Sequence, residues 1–121
     1  MSARISDAEA KVMETLWRES PLTAERVIEK IASSQGWTEA TVKTLLNRLL
    51  KKKAVTVKRD GRRYLYRPKL KRTDYVSAES RDLLDRLFDG KLAPFIAHFS
   101  ERQNLSAEEI AELKKLIEKL K

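Results

Sequence analysis

Residues 38–68 read TEATVKTLLNRLLKKKAVTVKRDGRRYLYRP, and this stretch decides the fold. Its first half spaces apolar residues by three or four positions, which is the pattern of one buried stripe on an α-helix: Val42, Leu45, Leu46, Leu49 and Leu50. The opposite side of that helix carries groups that donate hydrogen bonds to phosphates or base edges: Lys43, Thr44, Asn47, Arg48 and Lys51. The pattern therefore predicts an amphipathic helix whose outer face suits a polyanion.

The second half of the stretch predicts a β-hairpin. Apolar residues alternate on either side of Asp60-Gly61, a dipeptide that is favoured in two-residue turns because both of its positions tolerate a positive φ. A turn centred there pairs Val57 with Tyr64 and places Val55 and Tyr66 on the same face. The other face then carries Thr56, Lys58, Arg63 and Arg67.

Positive charge is concentrated in this region. Residues 43–72 hold thirteen Lys or Arg and a single acid, Asp60. Residues 1–73 carry 18 basic and 8 acidic side chains, whereas residues 74–121 carry 8 and 10, in a chain of net charge +8. The asymmetry indicates a domain at 1–73 that binds nucleic acid and a second region at 74–121 with another role.

Two helices are predicted ahead of residue 38. Ser6-Asp7-Ala8-Glu9 has the spacing of a capping box and starts a helix that runs to about Arg18. Ser20-Pro21 interrupts it, and Thr23 then caps a second helix that ends near Ser34. The residues expected to face the core are Ile5, Val12, Met13, Leu16, Trp17, Val27, Ile28 and Ile31. Three short helices followed by a basic hairpin describe a winged helix-turn-helix domain.

Residues 74–121 are predicted to form a helical dimerisation tail, so that the whole fold is mainly α with one small hairpin. A helix over 74–89 ends at Gly90, an apolar segment surrounds Pro94, and a capping box at Ser106 starts the last helix. A tail of 48 residues buries too little surface to fold alone. It packs either on the first three helices or, as we favour, on a second copy in a two-fold dimer. The expected dimerisation residues are Leu83, Leu84, Leu87, Phe88, Phe95, Ile96, Phe99, Ile110, Leu113, Ile117 and Leu120.

Several classes of protein are disfavoured. The chain has no cysteine, and its one histidine, His98, stands outside any metal-binding spacing. No nucleophile motif or glycine-rich phosphate loop occurs, so we expect no enzyme, no metal and no cofactor. No apolar run approaches the ~20 residues of a membrane span, and the N-terminus lacks a signal-peptide core, which favours a cytoplasmic protein.

The residues expected to contact DNA are Thr41, Lys43, Thr44, Asn47, Arg48, Lys51, Lys58, Arg62 and Arg63. Those on the helix would reach base edges or nearby phosphates, and those on the hairpin would reach phosphates or the minor groove. The triplet Lys51-Lys52-Lys53 has two interpretations, phosphate binding or a favourable interaction with the helix dipole. Two other functions stay open, a non-specific architectural or RNA-binding protein and a winged helix that binds other proteins.

Taken together, these motifs resemble the BlaI/MecI family of bacterial penicillinase repressors, which also includes the copper-responsive CopY type. The similarity covers nearly the whole chain and rests on ISDAE at 5–9, ATVKTL at 40–45 with NRL at 47–49, and GRRYLYRP at 61–68. It implies a homodimer that binds a palindromic operator of β-lactam-resistance or related stress genes and blocks their transcription. It also implies that a membrane sensor-protease, responding to β-lactams, triggers cleavage within the tail.

The chain departs from this family at three positions. His98 replaces the Asn of the family's scissile Asn-Phe dipeptide, so the implied cut falls at His98-Phe99. Ala10 stands where the family usually has Trp, and Lys53 stands where it has a helix-ending Gly. CopY-type relatives carry a C-terminal cysteine motif that is absent here, so copper sensing is not expected.

Overall fold

The computed structural model describes residues 4–102 and 105–120, and within them the chain forms six helices and one two-stranded antiparallel sheet. In chain order the elements are α1 (Asp7–Arg18), α2 (Ala24–Gln35), α3 (Glu39–Lys51), β1 (Val55–Asp60), β2 (Arg63–Pro68), α4 (Arg72–Phe88), α5 (Leu92–Arg102) and α6 (Ala107–Lys119). They group into two compact units, Met1–Tyr75 and Val76–Lys121. Over the described residues, no helix combines the length and the apolar character that a membrane crossing requires.

The first three helices begin where their capping residues predict. At α1, Ser6 Oγ accepts from the Glu9 N–H at 3.1 Å and Glu9 Oε1 accepts from the Ser6 N–H at 2.6 Å, which completes the capping box. Thr23 caps α2 and Thr38 caps α3, each through its side-chain oxygen. The starts of α1, α2 and α3 are therefore each fixed by a hydrogen bond that the sequence encodes locally.

The core of the first unit comes from one stripe of each helix and from the start of the hairpin. The buried apolar residues are Ile5, Ala10, Val12, Met13, Leu16, Leu22, Val27, Ile31, Val42, Leu45, Leu46, Leu49, Ala54 and Val55. Three residues predicted to be buried are only half-buried: Trp17, Ile28 and Leu50. Each fully buried aliphatic side chain contributes roughly 1.5–3 kcal/mol, so this core holds α3 in a fixed orientation.

The hairpin has a different register from the predicted one. Val57 lies opposite Tyr66, so the predicted pairing of Val57 with Tyr64 is wrong. Asp60 is the last residue of β1, and Gly61 with φ +64° opens the turn. A positive φ at the first central residue alone is the pattern of a type II′ turn, whereas the prediction assumed a turn that needs two.

The register error leaves the two faces of the hairpin unchanged. The actual pairing differs from the predicted one by two positions, and side chains alternate with a period of two. Val55, Val57, Tyr64 and Tyr66 consequently share one face, as predicted. Only Val55 among them is buried; Tyr66 is half-buried, and the other two are exposed.

In the second unit no described residue is buried. The predicted fourth helix is present but starts at Arg72, and the apolar segment around Pro94 is itself a helix, α5, which the sequence pattern did not predict. Pro94 is the third residue of α5, in the first turn, where a missing N–H costs no hydrogen bond. Ser106 caps α6 by accepting from the Glu109 N–H at 3.1 Å.

Candidate nucleic-acid interface

The outer face of α3 is a continuous polar surface. Lys43, Asn47 and Lys51 follow one another at four-residue steps, and Thr44 and Arg48 lie beside them; all five are exposed. The opposite stripe of the same helix is buried in the core. These five side chains therefore project from a backbone that is held in place by packing.

The cations on this face are available to a ligand. Within residues 4–102 and 105–120, no ion pair involves Lys43, Arg48 or Lys51. Thr41 differs from the other candidates, because it is half-buried and its hydroxyl lies 3.1 Å from the hydroxyl of Thr38, the capping residue. Thr41 thus belongs partly to the helix cap.

The hairpin carries a second group of exposed cations. Lys58 and Arg62 have no ion-pair partner among the described residues, whereas Arg63 lies 3.2 Å from Asp60. Both members of that pair are more than half exposed, so the pair contributes little to stability and is easily exchanged for a phosphate. Arg59 turns back over the hairpin, with its Cζ 6.0 Å from the centre of the Tyr64 ring.

The hairpin is tied to the helices at its base. Leu22, just before α2, exchanges two backbone hydrogen bonds with Tyr66, at 2.8 and 3.1 Å. Ala54, just after α3, accepts from the backbone N–H groups of Lys69 and Leu70 at 2.8 and 3.0 Å. Helix and hairpin therefore form one surface with a fixed internal geometry.

A groove of about 420 Å³ separates the start of α2 from the hairpin. Its lining includes Arg26, Arg62 and Arg63, together with Tyr66, whose pKa is raised by burial and secondarily by the Glu25 carboxylate. The phenol is therefore a protonated hydrogen-bond donor at neutral pH. Sequence reasoning missed Arg26, because no local pattern places the first turn of α2 beside the hairpin.

The three lysines at the C-terminal end of α3, Lys51, Lys52 and Lys53, have different surroundings in the structure. Lys51 points outward, but the Lys52 ammonium lies 2.6 Å from Glu9 Oε1, and Glu9 is 1% exposed. Burial of the Glu9 carboxyl raises its pKa, but the hydrogen bonds from Lys52 and Ser6 outweigh burial and hold the pKa below its ordinary value. Lys53 has φ +63°, a conformation that favours glycine.

The predicted dimerisation residues line an uncovered apolar surface within the second unit. Leu87, Ile110, Ile117 and Leu120 are between 40% and 78% exposed, and the other seven are half-buried. The Phe95 ring lies 5.5 Å from that of Phe88 and 5.0 Å from that of Phe99. An apolar cleft of about 330 Å³ runs between α5 and α6. His98 is exposed on α5, and no described residues cluster in a way that could hold a metal ion.

The chain is similar to known proteins over nearly its whole length. The model of the penicillinase repressor family matches residues 5–119. A penicillinase repressor of Bacillus licheniformis is 36% identical over 118 residues, which are 98% of this chain and 92% of that protein. The methicillin resistance regulatory protein MecI of Staphylococcus aureus strain N315 is 30% identical over 115 residues, 95% of this chain and 94% of that protein.

Two solved structures are similar to the chain. The DNA-binding domain of the repressor BlaI superposes with a TM-score of 0.57 at 35% identity, covering 62% of this chain and 92% of that one. The monomeric form of Bacillus licheniformis BlaI, in complex with the blaP half-operator, gives a TM-score of 0.56 at the same identity and coverage.

Proposed function

The chain belongs to the penicillinase repressor family, and on that premise we propose that it acts as a homodimer on a palindromic operator of β-lactam-resistance or related stress genes. It is a sequence-specific DNA-binding repressor and not an enzyme. One observation carries the proposal: the outer face of α3 and the hairpin are joined into one surface, and most of its exposed cations have no acidic partner among the described residues.

This surface fits a duplex in the manner of a winged helix. With α3 in the major groove, Arg48 offers the forked donors that match guanine O6 and N7, and Lys43 and Asn47 reach neighbouring edges or phosphates. The hairpin would then follow the flanking backbone, where Lys58, Arg62 and the groove beside Arg26 meet phosphates. Base contacts on α3 supply the choice of sequence, and the hairpin supplies affinity and register.

The second unit supports a homodimer. It exposes large apolar residues along α4 and α6 and has no buried residue among those described. Each Å² of apolar surface that is removed from water contributes about 25 cal/mol of favourable free energy. Packing of a second copy on these exposed residues is therefore favourable. A two-fold dimer then presents two identical modules, which matches a palindromic site.

Relief of repression through proteolysis in the tail is the finer part of the proposal. The implied bond, His98-Phe99, lies inside α5, and the Phe99 ring packs on Phe95. A protease needs an extended backbone, so α5 would have to open before this bond could be cut. Cells that carry a sensor-protease should yield fragments ending at His98 after exposure to a β-lactam; an intact chain under full induction would rule out this cut.

The function is tested by selecting bound duplexes from random DNA and then titrating the chain with the selected sequence and with an unrelated duplex at one salt concentration. We expect a consensus with dyad symmetry, and an operator affinity at least about 10³-fold higher than that for the unrelated duplex. Equal affinity for both duplexes would instead identify a non-specific architectural protein.

A further inference from the structure

Lys52 is a cation in the middle of the most basic stretch of the chain, yet it is directed away from the DNA-facing surface. Its ammonium lies 2.6 Å from Glu9 Oε1 and 2.9 Å from the Arg4 carbonyl oxygen, and its side chain is 28% exposed. Lys51, the preceding residue, is exposed and has no ion-pair partner among the described residues. Two neighbouring lysines therefore have different surroundings.

We propose that Glu9 is a positioning residue for sequence recognition: it withdraws Lys52 from the DNA and fixes the end of α3 from which the hairpin departs. The inference rests on the proposed function, since it concerns how that same DNA-binding surface is held.

The exit of α3 is where such a fixed point has most effect. The Lys52 N–H donates to the Arg48 carbonyl at 3.0 Å, and the Ala54 N–H donates to the Leu49 carbonyl at 2.9 Å. Ala54 in turn accepts the two hydrogen bonds from Lys69 and Leu70, the residues just after β2, and these bonds close the base of the hairpin. A displacement of Lys52 would therefore move the last turn of α3 and the base of the hairpin together.

The contribution of the Glu9–Lys52 ion pair to stability does not by itself explain why the pair is present. Glu9 Oε2 is buried and has no hydrogen-bond partner within residues 4–102 and 105–120, so these residues satisfy the carboxylate only in part. Buried pairs of this kind can often be replaced by apolar residues without loss of stability. What the pair does provide is a specific connection between α1 and the C-terminal end of α3.

The test compares removal of two adjacent lysines. Lys51→Met removes an outward cation; Glu9→Gln/Lys52→Met removes the internal pair without leaving an unpaired buried charge. Ile31→Val trims the core of α2 and serves as a control for stability. Each full-length variant is titrated with the selected operator and with an unrelated duplex, from about 50 to about 200 mM salt.

Lys51→Met should reduce the slope of log K against log salt by about 0.9 on both duplexes, because one phosphate contact is lost. The Glu9→Gln/Lys52→Met variant should keep the wild-type slope on the unrelated duplex, but its preference for the operator should fall at least about fivefold. Ile31→Val should change neither quantity.

A slope that falls by the same amount in both lysine variants would overturn the proposal, because Lys52 would then be an ordinary phosphate contact. An unchanged operator preference in the pair variant would overturn it as well, because the pair would be structural only. If the double variant does not fold, Glu9→Gln alone serves as the test of the proposal. Its preference for the operator over the unrelated duplex is then expected to fall by the same factor. Failure of the proposed function is distinguishable, since the wild-type chain itself would then show no preference for any duplex.

Discussion

At the residue scale, Lys53 stands out because its backbone conformation is one that residues with a side chain rarely adopt. The left-handed region costs a non-glycine residue roughly 1–2 kcal/mol, and Lys53 has φ +63° at the point where the chain leaves α3 for the hairpin. Lys53 thus has the backbone geometry typical of a helix-ending glycine, the residue that the family resemblance implies at this position. The strain is stored at the end of α3, beside the surface proposed to face DNA.

Lys53→Gly should stabilise the chain by about 1 kcal/mol, because glycine adopts this φ without steric cost. Urea denaturation followed by circular dichroism measures the change. Lys51→Gly is the matched control, since the same substitution inside the last turn of α3 should destabilise by about 1 kcal/mol. If Lys53→Gly and Lys51→Gly lower the free energy of unfolding by similar amounts, the backbone at Lys53 carries no strain.

Glu9 makes stability depend on acid pH. Its pKa is lowered from 4.5, so the ion pair contributes fully above that value and its contribution disappears as the pH falls through the lowered pKa. The free energy of unfolding, measured from about pH 7 to about pH 3, should therefore drop more for the wild type than for Glu9→Gln.

Glu19→Gln is the control for this pH dependence. The pKa of Glu19 is also lowered, mainly by its hydrogen bond with Lys30, but Glu19 lies at the surface, where solvent screens the pair. Most of the acid sensitivity should survive in that variant. If the free energy of unfolding falls with pH as much in Glu9→Gln as in the wild type, the expectation is contradicted.

Single residues also mark where sequence reasoning stops. The three lysines at 51–53 are chemically identical in the sequence, and only tertiary structure separates one that faces outward, one that reaches Glu9 and one that turns the chain. Glu9 was recognised as part of a capping box, and it does complete one. Its second partner, 43 positions along the chain, has no local signature.

At the scale of elements, the caps of α2 and α3 offer a matched pair. Thr38→Ala and Thr23→Ala each delete the side-chain oxygen that accepts from a backbone N–H at a helix start, and each should cost about 1 kcal/mol of stability. Thr38→Ala also removes the hydroxyl contact with Thr41. Thr38→Ala should weaken operator binding more than Thr23→Ala does, because the residues proposed to read the bases lie on α3, whereas α2 contributes only to the proposed phosphate groove. Thermal melting together with operator titration measures both effects; equal weakening by the two variants would show that α3 holds no special role.

The elements were predicted well where the signal is local and poorly where it depends on context. Helices α1–α3 combine a capping residue with an apolar stripe, and both features survive in the structure. The hairpin register was wrong because Asp60-Gly61 and Gly61-Arg62 both permit a two-residue turn and differ only in which φ is positive. Helix α5 was not predicted, because the segment around Pro94 is short and very apolar and showed no capping residue; a proline in the first turn of a helix is nevertheless tolerated.

At the scale of the whole molecule, the tail is the feature that a single chain leaves incomplete. A chain ending at Gly90 retains the first unit but loses α5 and α6. We expect it to be monomeric by sedimentation and to bind the full operator at least about 100-fold more weakly, because the two half-sites no longer act together. A dimer that persists without α5 and α6 would contradict this.

Charge alone predicts that the region before residue 74 binds DNA, but it does not predict the placement of individual side chains. The excess of basic residues before residue 74 indicated a module for DNA, and the comparisons with known repressors agree. The position of Arg26 in the groove depends on the hydrogen bonds between Leu22 and Tyr66, which bring α2 beside the hairpin across more than forty positions of sequence. Periodicity within one segment carries no information about such a contact.

The wing is fixed at its base and open at its tip, and this has a consequence for how its length can change. Adding one residue to each strand at the tip preserves the alternation below it and lengthens the wing by about 3.3 Å, with the hydrogen bonds of Leu22 and Ala54 untouched. Adding one residue to a single strand instead moves every side chain of that strand between the insertion and the turn to the opposite face of the hairpin. The length of the hairpin, and with it the stretch of DNA backbone that it could contact, can therefore change only by adding residues to both strands together, while the helices keep its base in place.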